Sequence, residues 1–366
     1  MKILFCGTIL PRKFETEIRY LSSAANQFQH NLINEMRKQG NEVKILSYVA
    51  FPVEQAIVDV VTTEEKDDIT YIFKQGDVVS SLFLYYQMMK SNMHWADVVI
   101  SYNVIYPWIR LSKLSKQFRK RAVLILADFD KIKKNCGWKR CVYYHMQVRA
   151  LQRYDKVVGL TSNMREWLLP SQEFLLMEGG IHWEDYEDIQ PKKTCDGLVQ
   201  FMFSGVLSNN KGISLLLEAV KLVPEEFRLL ITGKGPCEQE IRDAAQNDHR
   251  IEFLGQVPFE EYLARLKECD VLLNPMDMHY ENNEYNFPSK FLEYLATGNL
   301  IISTKFTGWE RFEENACFVD SEPEKLAESM RYMICQNRSI INKYFSQNRI
   351  KAKEFSWSGN VEKILR

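Results

Sequence analysis

Short, almost unbroken apolar runs recur along this chain, and stretches with helical apolar spacing separate them. The first run covers residues 3–6 and ends at Gly7-Thr8. A polar loop spans residues 10–23. Phe28, Leu32, Ile33 and Met36 then recur at three- and four-residue spacing, which predicts a helix. Gly40 stops that helix, and residues 42–47 read as the next strand. Strand, helix and strand in that order form a βαβ unit, and such a unit implies a parallel sheet. Residues 96–101, 121–127 and 156–161 continue the series. Their near-continuous apolar character fits strands covered on both faces. Residues 174–177, before Gly179-Gly180, close it.

A second alternating series begins at residues 198–203 and continues through 228–232, 251–254, 270–273 and 299–303. Helices fit between these runs, for instance at 213–220 and 258–268. Two doubly wound α/β domains follow. A chain of 366 residues that is 46% hydrophobic has material for two cores. The polar, acidic stretch 182–197, with Pro191 and Gly197, reads as the linker. The expected division is residues 1–190, residues 191–343, and a tail of residues 344–366 carrying Phe355-Ser-Trp357.

A net charge of -1 argues against a nucleic-acid binder with a wholly basic surface. The 8 cysteines form no C-x-x-C pair and no zinc spacing, so buried reduced thiols are expected. The first residues enter a strand-like run with no signal-peptide pattern. No apolar stretch approaches the ~18 residues that span a bilayer. A cytoplasmic protein is expected, with a peripheral position on the inner face of a membrane as the alternative. That alternative rests on residues 108–144, where Arg110, Lys113, Lys116, Arg119, Lys120, Arg121, Lys131, Lys133, Lys134, Lys139 and Arg140 are interleaved with aromatic residues. Only Asp128 and Asp130 oppose them. The segment reads either as a solvated face, since Arg110, Lys113 and Lys116 are three apart, or as a surface resting on anionic lipid.

In doubly wound sheets, ligands sit beyond the carboxyl ends of the strands. With two such domains, the cleft between them is the expected site. Two glycine-rich loops follow strands of the second series, residues 204–212 and 232–236. Such loops let backbone N–H groups approach an anion, and Lys211 can neutralise a phosphate. Each loop alone is as well read as a tight turn, with Lys211 a solvated charge. Neither matches a P-loop or a G-x-G-x-x-G fingerprint. A third segment, residues 286–298, reads as a loop entering a helix, with Pro288 in the first turn and Ser289 and Lys290 near its N-terminus. Glu293 lies at i+3 from Lys290. The two form either an intrahelical ion pair or a phosphate grip beside a carboxylate that accepts ribose hydroxyls. Asp128 follows an apolar run and is either a helix N-cap or a cleft residue.

Taken in order, residues 205–219, Gly233-Lys-Gly-Pro236, Phe253-Leu-Gly255 and Pro288-Ser-Lys-Phe-Leu-Glu-Tyr-Leu-Ala296 with Gly298 resemble the donor domain of GT-B fold retaining glycosyltransferases of the family 4 type. The resemblance covers residues 198–335. It extends more weakly over 1–190, at Lys2-Ile-Leu-Phe5, Gly40-Asn-Glu-Val43 and Tyr154-Asp-Lys-Val157. It implies two Rossmann-like domains facing a central cleft, and a C-terminal helix within residues 344–366 that returns to the first domain. It also implies retaining, metal-independent transfer of a hexose-type sugar from a nucleotide diphosphate sugar, UDP rather than GDP. The acceptor would be a glycan, a lipid-linked acceptor or a protein, and no cofactor is implied beyond the donor co-substrate.

The resemblance implies roles residue by residue. Lys211 matches the lysine on the diphosphate, and Glu293 the glutamate that holds the ribose. Gly205, Gly233 and Lys234 would line the nucleotide pocket, and Gln256 and Val257 would meet the base. Asn286, Phe287, Pro288, Ser289 and Lys290 would hold the sugar and distal phosphate. Ser22, Ser23 and Asp128 fall on the acceptor side, and Asp128 joins Lys211 and Glu293 as a candidate for the reacting centre. Two positions depart from the pattern. Val206 stands where an arginine often follows the first glycine, and Tyr285 stands where the first glutamate of the motif falls. These departures admit a second reading, a non-catalytic GT-B partner of an active transferase. A sugar-nucleotide epimerase is a third, although its usual carboxylate and histidine sets are not visible.

Overall fold

The structure, a computed structural model, describes residues 1–10, 23–49, 61–64, 69–73, 78–129, 131–132, 137–191, 197–336 and 344–366. It divides into two compact units, Met1–Met177 with Trp357–Arg366, and Glu178–Ser356.

The first unit runs β1 (Lys2–Gly7), α1 (Ser23–Lys38), β2 (Glu42–Val49), β3 (Val61–Glu64), β4 (Ile69–Phe73), α2 (Val78–Asn92), β5 (Val98–Tyr102), α3 (Leu111–Gln117), β6 (Arg121–Leu126), α4 (Trp138–Leu151), β7 (Lys156–Gly159) and β8 (Glu173–Leu176). Its sheet has the order β3-β4-β2-β1-β5-β6-β7-β8. Every pairing is parallel except β3 with β4. Ile3 and Phe5 of β1 pack with Leu32, Ile33 and Met36 of α1. Leu4 and Cys6 point to the other face, against Tyr85 and Met89 of α2. Both faces of β1 are thus covered, which is why the strand is apolar throughout.

Sequence periodicity assigns nothing to residues 50–95, where the structure places β3, β4 and α2. α2 carries apolar residues around most of its circumference, so no helical period stands out.

The second unit runs β9 (Gln200–Val206), α5 (Ile213–Lys221), β10 (Arg228–Lys234), α6 (Glu238–Asn247), β11 (Ile251–Gly255), α7 (Phe259–Glu268), β12 (Val271–Asn274), α8 (Lys290–Thr297), β13 (Leu300–Thr304), β14 (Cys317–Val319), α9 (Pro323–Cys335) and α10 (Phe345–Lys353). Its sheet order is β11-β10-β9-β12-β13-β14, parallel throughout. Phe201, Phe203, Ile231, Val271 and Ile302 meet Ile213, Leu216 and Val220 of α5 in one core. Each fully buried leucine or isoleucine of this kind contributes about 1.5–3 kcal/mol.

The unit boundaries differ from the expected ones at both crossings. The first lies between Met177 and Glu178 rather than at residue 190. Ile181, Tyr186 and Ile189 are buried in the second unit, so the described residues 182–191 of this stretch are built in rather than a tether. Arg349 fastens it, donating to the carbonyls of Tyr186 (2.7 Å), Glu187 (2.8 Å) and Ala296 (3.0 Å). The second crossing lies between Ser356 and Trp357, so α10 stays with the second unit. Its buried Asn348 bonds Asn315 and the carbonyl of Asn299. The last helix, α11 (Trp357–Leu365), belongs to the first unit, where Trp357 meets Phe28 edge-on at 5.1 Å.

Of the six described cysteines, Cys6, Cys237 and Cys269 are buried, Cys141 and Cys317 half-buried and Cys335 exposed, all as free thiols. Burial thus holds for three of them only. Cys136 and Cys195 lie outside the described residues.

Candidate functional site

In the second unit the strand order reverses between β9 and β12. Loops leaving the carboxyl ends of these two strands flank the switch point, where a doubly wound sheet leaves a crevice. The loop after β9 carries Lys211. The loop after β12 leads into α8, which carries Lys290 and Glu293.

The Lys211 loop is a short turn over Asn209–Lys211. Asn209 Oδ1 accepts from Ser214 Oγ at 2.8 Å and Cys237 Sγ at 3.0 Å. Gly212 follows with φ 89°, and a methyl there would lie 1.7 Å from the Pro275 carbonyl oxygen. Only glycine lets the two loops close to this distance. The fully buried Asn283 ties them further. Its Nδ2 donates to the carbonyls of Asn210 and Asp277, both at 2.7 Å.

Gly205 and Gly233 are register partners on β9 and β10. A methyl on Gly233 would stand 1.8 Å from the Gly205 carbonyl oxygen. The bare Gly233 lets the two strand ends approach, whereas a methyl on Gly205 would meet nothing nearer than the Phe203 ring at 3.9 Å. Val206 and Lys234, also register partners, are exposed at the strand ends. Gln256 and Val257 follow the edge strand β11, exposed and half-buried respectively.

Helix α8 begins after Ser289, its exposed N-cap. Phe287 and Pro288 are buried beneath it. The Phe287 ring packs edge-on against Phe306 at 5.3 Å, and Phe291 against Phe312 at 5.2 Å. This aromatic cluster fixes where the helix starts. The N–H groups of Phe291 and Leu292 already donate to the carbonyls of Pro288 (2.8 Å) and Ser289 (3.2 Å), so it is chiefly the helix dipole that makes this end favour an anion. Tyr285 is buried and Asn286 half-buried, its Nδ2 donating to the Asn282 carbonyl at 2.9 Å.

Lys290 Nζ bonds both oxygens of Glu293, at 3.0 and 2.9 Å. The intrahelical pair is therefore formed. It is not the whole environment of Glu293. The Tyr262 hydroxyl donates to Glu293 Oε2 at 2.9 Å, and the Tyr186 hydroxyl reaches the same oxygen at 3.4 Å. Lys290 Nζ lies 4.2 Å from the Tyr262 ring centre. Ser204 Oγ, at the end of β9, donates to the Tyr262 hydroxyl at 3.4 Å and shares a 2.9 Å bond with Tyr294. Burial, reinforced by the Glu293 charge, holds Tyr262 and Tyr186 well above the usual tyrosine range. Both stay neutral donors at ordinary pH.

Sequence reasoning missed Tyr262, Tyr186 and Asn283. Tyr262 precedes buried Leu266 by four residues on α7 and looks like another apolar position. Tyr186 sits in a stretch with the composition of a linker, and Asn283 in an otherwise exposed polar run.

In the first unit the order reverses between β1 and β5. Ser22 lies outside the described residues, and Ser23 is the first residue of α1. Asp128 is exposed in the loop after β6. It is not the cap of the next described helix, since Gly137 holds that place at α4. Asn103, at the end of β5 with φ 59°, orders this loop. Its Oδ1 accepts from the N–H groups of Ala127 (2.8 Å) and Asp128 (3.0 Å). Among the described residues, no cluster of His, Cys, Asp and Glu could hold a metal ion, and no helix is long and apolar enough to cross a membrane.

The basic segment resolves into two different faces. On α3, Lys113 and Lys116 are exposed while Leu111 and Leu114 are buried, an ordinary solvated face. On α4, Trp138, Val142 and Met146 are exposed at four-residue spacing, beside exposed Lys139, Arg140 and Arg149. Asp130, Lys133 and Lys134 lie outside the described residues.

Residues 199–336 match the family described as Glycosyl transferases group 1. The match takes in one domain rather than the whole chain. That domain coincides with most of the second unit, including both loops of the switch point and all of α8. Among curated relatives, a 108-residue stretch is 30% identical to the "Putative colanic acid biosynthesis glycosyltransferase WcaL" of Escherichia coli, covering 28% of this chain and 27% of that one. A 161-residue stretch is 25% identical to "Uncharacterized glycosyltransferase MJ1178" of Methanocaldococcus jannaschii, covering 43% and 44%. The aligned stretches thus span less than half the length of these relatives.

The whole chain resembles solved structures at low identity. Anabaena HepE in complex with UDP has a TM-score of 0.73 at 13% identity, covering 100% of this chain and 98% of that one. Sucrose-phosphate synthase from Thermosynechococcus elongatus has 0.72 at 13%, covering 100% and 97%. WaaG, a glycosyltransferase of lipopolysaccharide biosynthesis, has 0.66 at 14%, covering 99% and 98%. The fold is GT-B, two α/β domains built on parallel sheets.

Proposed function

We propose that this chain is a retaining glycosyltransferase that moves a hexose-type sugar from a nucleotide diphosphate sugar, UDP rather than GDP, to a glycan, lipid-linked or protein acceptor in polysaccharide or glycoconjugate assembly. One observation carries the reading. Lys211, the N-terminus of α8 with Ser289 and Lys290, and Glu293 all belong to the two loops that flank one switch point. A nucleoside diphosphate needs that set, cationic and N–H donors for the phosphates and a carboxylate acceptor for the ribose. Anabaena HepE has been seen with UDP, with UDP and glucose, and with UDP-glucose, which favours UDP.

In this reading the bond between the anomeric carbon and the distal phosphate oxygen breaks. The acceptor hydroxyl attacks from the same face, and its proton passes to the departing phosphate. The leaving diphosphate gains negative charge, and Lys211, Lys290 and the helix N-terminus stabilise it. These groups supply the positive charge without a metal or another cofactor. Asp128, Ser22 and Ser23 serve the acceptor side. Gly205, Gly233 and Lys234 border the nucleotide, and Gln256 and Val257 the base.

The second reading, a nucleotide-binding partner without turnover, rests on Val206 and Tyr285. Val206 is exposed and bears no charge, and Tyr285 is buried. Incubation of the full chain with UDP-glucose separates the two. Slow release of glucose, first as the anomer of the donor, supports a retaining transferase, and loss of release in Lys211→Ala supports the diphosphate role. Tight UDP binding with no release at all would favour the partner reading.

We infer also that the protein rests on an anionic membrane surface through α4. Three exposed apolar side chains on one helical stripe, flanked by cations and without an acidic residue on the helix, support this.

A further inference from the structure

We propose that Glu293 grips a nucleotide ribose through Oε1 alone, because Tyr262 and Tyr186 occupy Oε2. The inference rests on the nucleotide reading of this site and concerns how that site selects among ribose hydroxyls. A carboxylate oxygen has two lone-pair positions. Glu293 Oε2 already receives the Tyr262 hydroxyl at 2.9 Å, the Tyr186 hydroxyl at 3.4 Å and Lys290 Nζ at 2.9 Å. Oε1 receives Lys290 alone, at 3.0 Å.

The two tyrosines do not yield their place. Both are buried, and burial together with the Glu293 charge keeps them protonated donors. The Tyr262 hydroxyl also accepts from Ser204 Oγ at 3.4 Å. Tyr186 is held through its own carbonyl, which accepts from Arg349 at 2.7 Å. Lys290 is the more accessible of the three donors, with its side chain about a third exposed (37%). If it turns to a phosphate, Oε1 opens fully and Oε2 still carries two tyrosine hydroxyls. Either way one oxygen is available. A vicinal diol meeting two open carboxylate oxygens would have both hydroxyls held. Here one hydroxyl is held and the other faces an oxygen that is already satisfied. Tyr262 and Tyr186 are thus positioning residues that set which ribose hydroxyl is read.

The test is calorimetric titration of the full chain with UDP, GDP and ADP, then with the 2′-deoxy and 3′-deoxy forms of the tightest binder. The expected result is unequal. One deoxy form binds at least about tenfold more weakly, the loss of one charge-assisted hydrogen bond, and the other binds within about twofold of the parent. In Tyr262→Phe the ring under Lys290 remains and only the hydroxyl is lost, so once Lys290 has turned to the phosphate Oε2 carries Tyr186 alone and gains an open position. The tolerated deoxy form should then also lose affinity relative to the parent. Tyr186→Phe is a second variant with the same expectation, and unchanged melting of the free protein shows that either variant is folded. Equal losses for both deoxy forms in the unaltered protein would overturn the proposal while leaving the nucleotide reading intact. So would two deoxy forms that both bind like the parent. No binding of any of the three nucleotides would overturn the nucleotide reading itself, and this proposal with it.

Discussion

The side-chain amide of Asn283, buried in the loop after β12, donates a 2.7 Å hydrogen bond to the carbonyl of Asn210, the residue before Lys211. A second 2.7 Å bond from the same nitrogen holds the Asp277 carbonyl. Two acceptors on one nitrogen settle which way the amide points, and they leave its Oδ1 without a partner among the described residues. The cost of that buried oxygen is offset by the joining of the two loops that carry Lys211 and α8.

Asn283→Leu keeps the volume and removes both donors. Leaving the carbonyls of Asn210 and Asp277 short of a partner should cost about 2 kcal/mol. The melting transition should fall, and the donor KM should rise more than stability alone explains, because Lys211 is no longer held. Melting and steady-state kinetics check this. An unchanged donor KM would show that the Lys211 turn is set by Gly212 alone.

Gly212→Ala places a methyl 1.7 Å from the Pro275 carbonyl oxygen on a residue with φ 89°. The strain of a left-handed non-glycine residue, of order 1–3 kcal/mol, adds to a clash that only backbone movement relieves. The variant should melt lower than the parent and lose most of its nucleotide response. Gly308→Ala, a left-handed glycine with open space around it, is the control and should show the strain without the clash. Equal effects at both positions would refute the loop-closure role of Gly212.

Stability should fall on the alkaline side. Burial raises Tyr85, Tyr102, Tyr154, Tyr186, Tyr262 and Tyr294 above their usual value and pushes the Cys6 thiol up to about 12. The folded state then keeps protons that the unfolded chain releases. Stability is fully present below the unfolded values and declines as pH rises, from about 9 for the thiol and about 10 for the tyrosines. On the acid side, Asp248 is lowered, first by its hydrogen bond from Arg250, and its contribution is lost as pH falls through the folded value. Melting temperature against pH should show a neutral plateau and an alkaline decline, shallower in Tyr262→Phe. A melting temperature that holds steady to pH 11 would contradict the tyrosine assignments.

Membrane contact through α4 predicts sedimentation with vesicles containing anionic lipid and little with neutral ones. Removing the apolar stripe in a Trp138→Ser, Val142→Ser double variant should abolish the difference without lowering the melting temperature, since both side chains are exposed. Equal recovery with neutral and anionic vesicles would count against the contact.

The two sheets were legible in the sequence because buried parallel strands are near-continuous apolar runs, as in residues 3–6 and 271–273. The segment around β3 and β4 was not, since short strands at a sheet edge and a helix apolar on most sides leave no clean period. Lys211, Lys290 and Glu293 stood out as charges beside glycine or proline in loops that follow strands. Tyr186, Tyr262 and Asn283 did not, because their importance comes from partners far away in sequence. Tyr186 meets Glu293 across 107 residues and Asn283 meets Asn210 across 73. Only the folded chain makes such pairs visible. The same holds for the domain boundary, where Arg349 claims an acidic stretch that composition alone marks as a linker.

The central claim, a nucleotide diphosphate site in the second unit, is tested most directly by the melting temperature of the full chain with UDP, GDP, ADP and no nucleotide. At a ligand concentration 100 times its Kd, binding stabilises by about 2.7 kcal/mol, which is readily seen in a melting curve. At least one nucleotide should raise the transition, UDP most, and Glu293→Ala should remove most of the rise. Identical melting curves with all three nucleotides and with none would contradict the account.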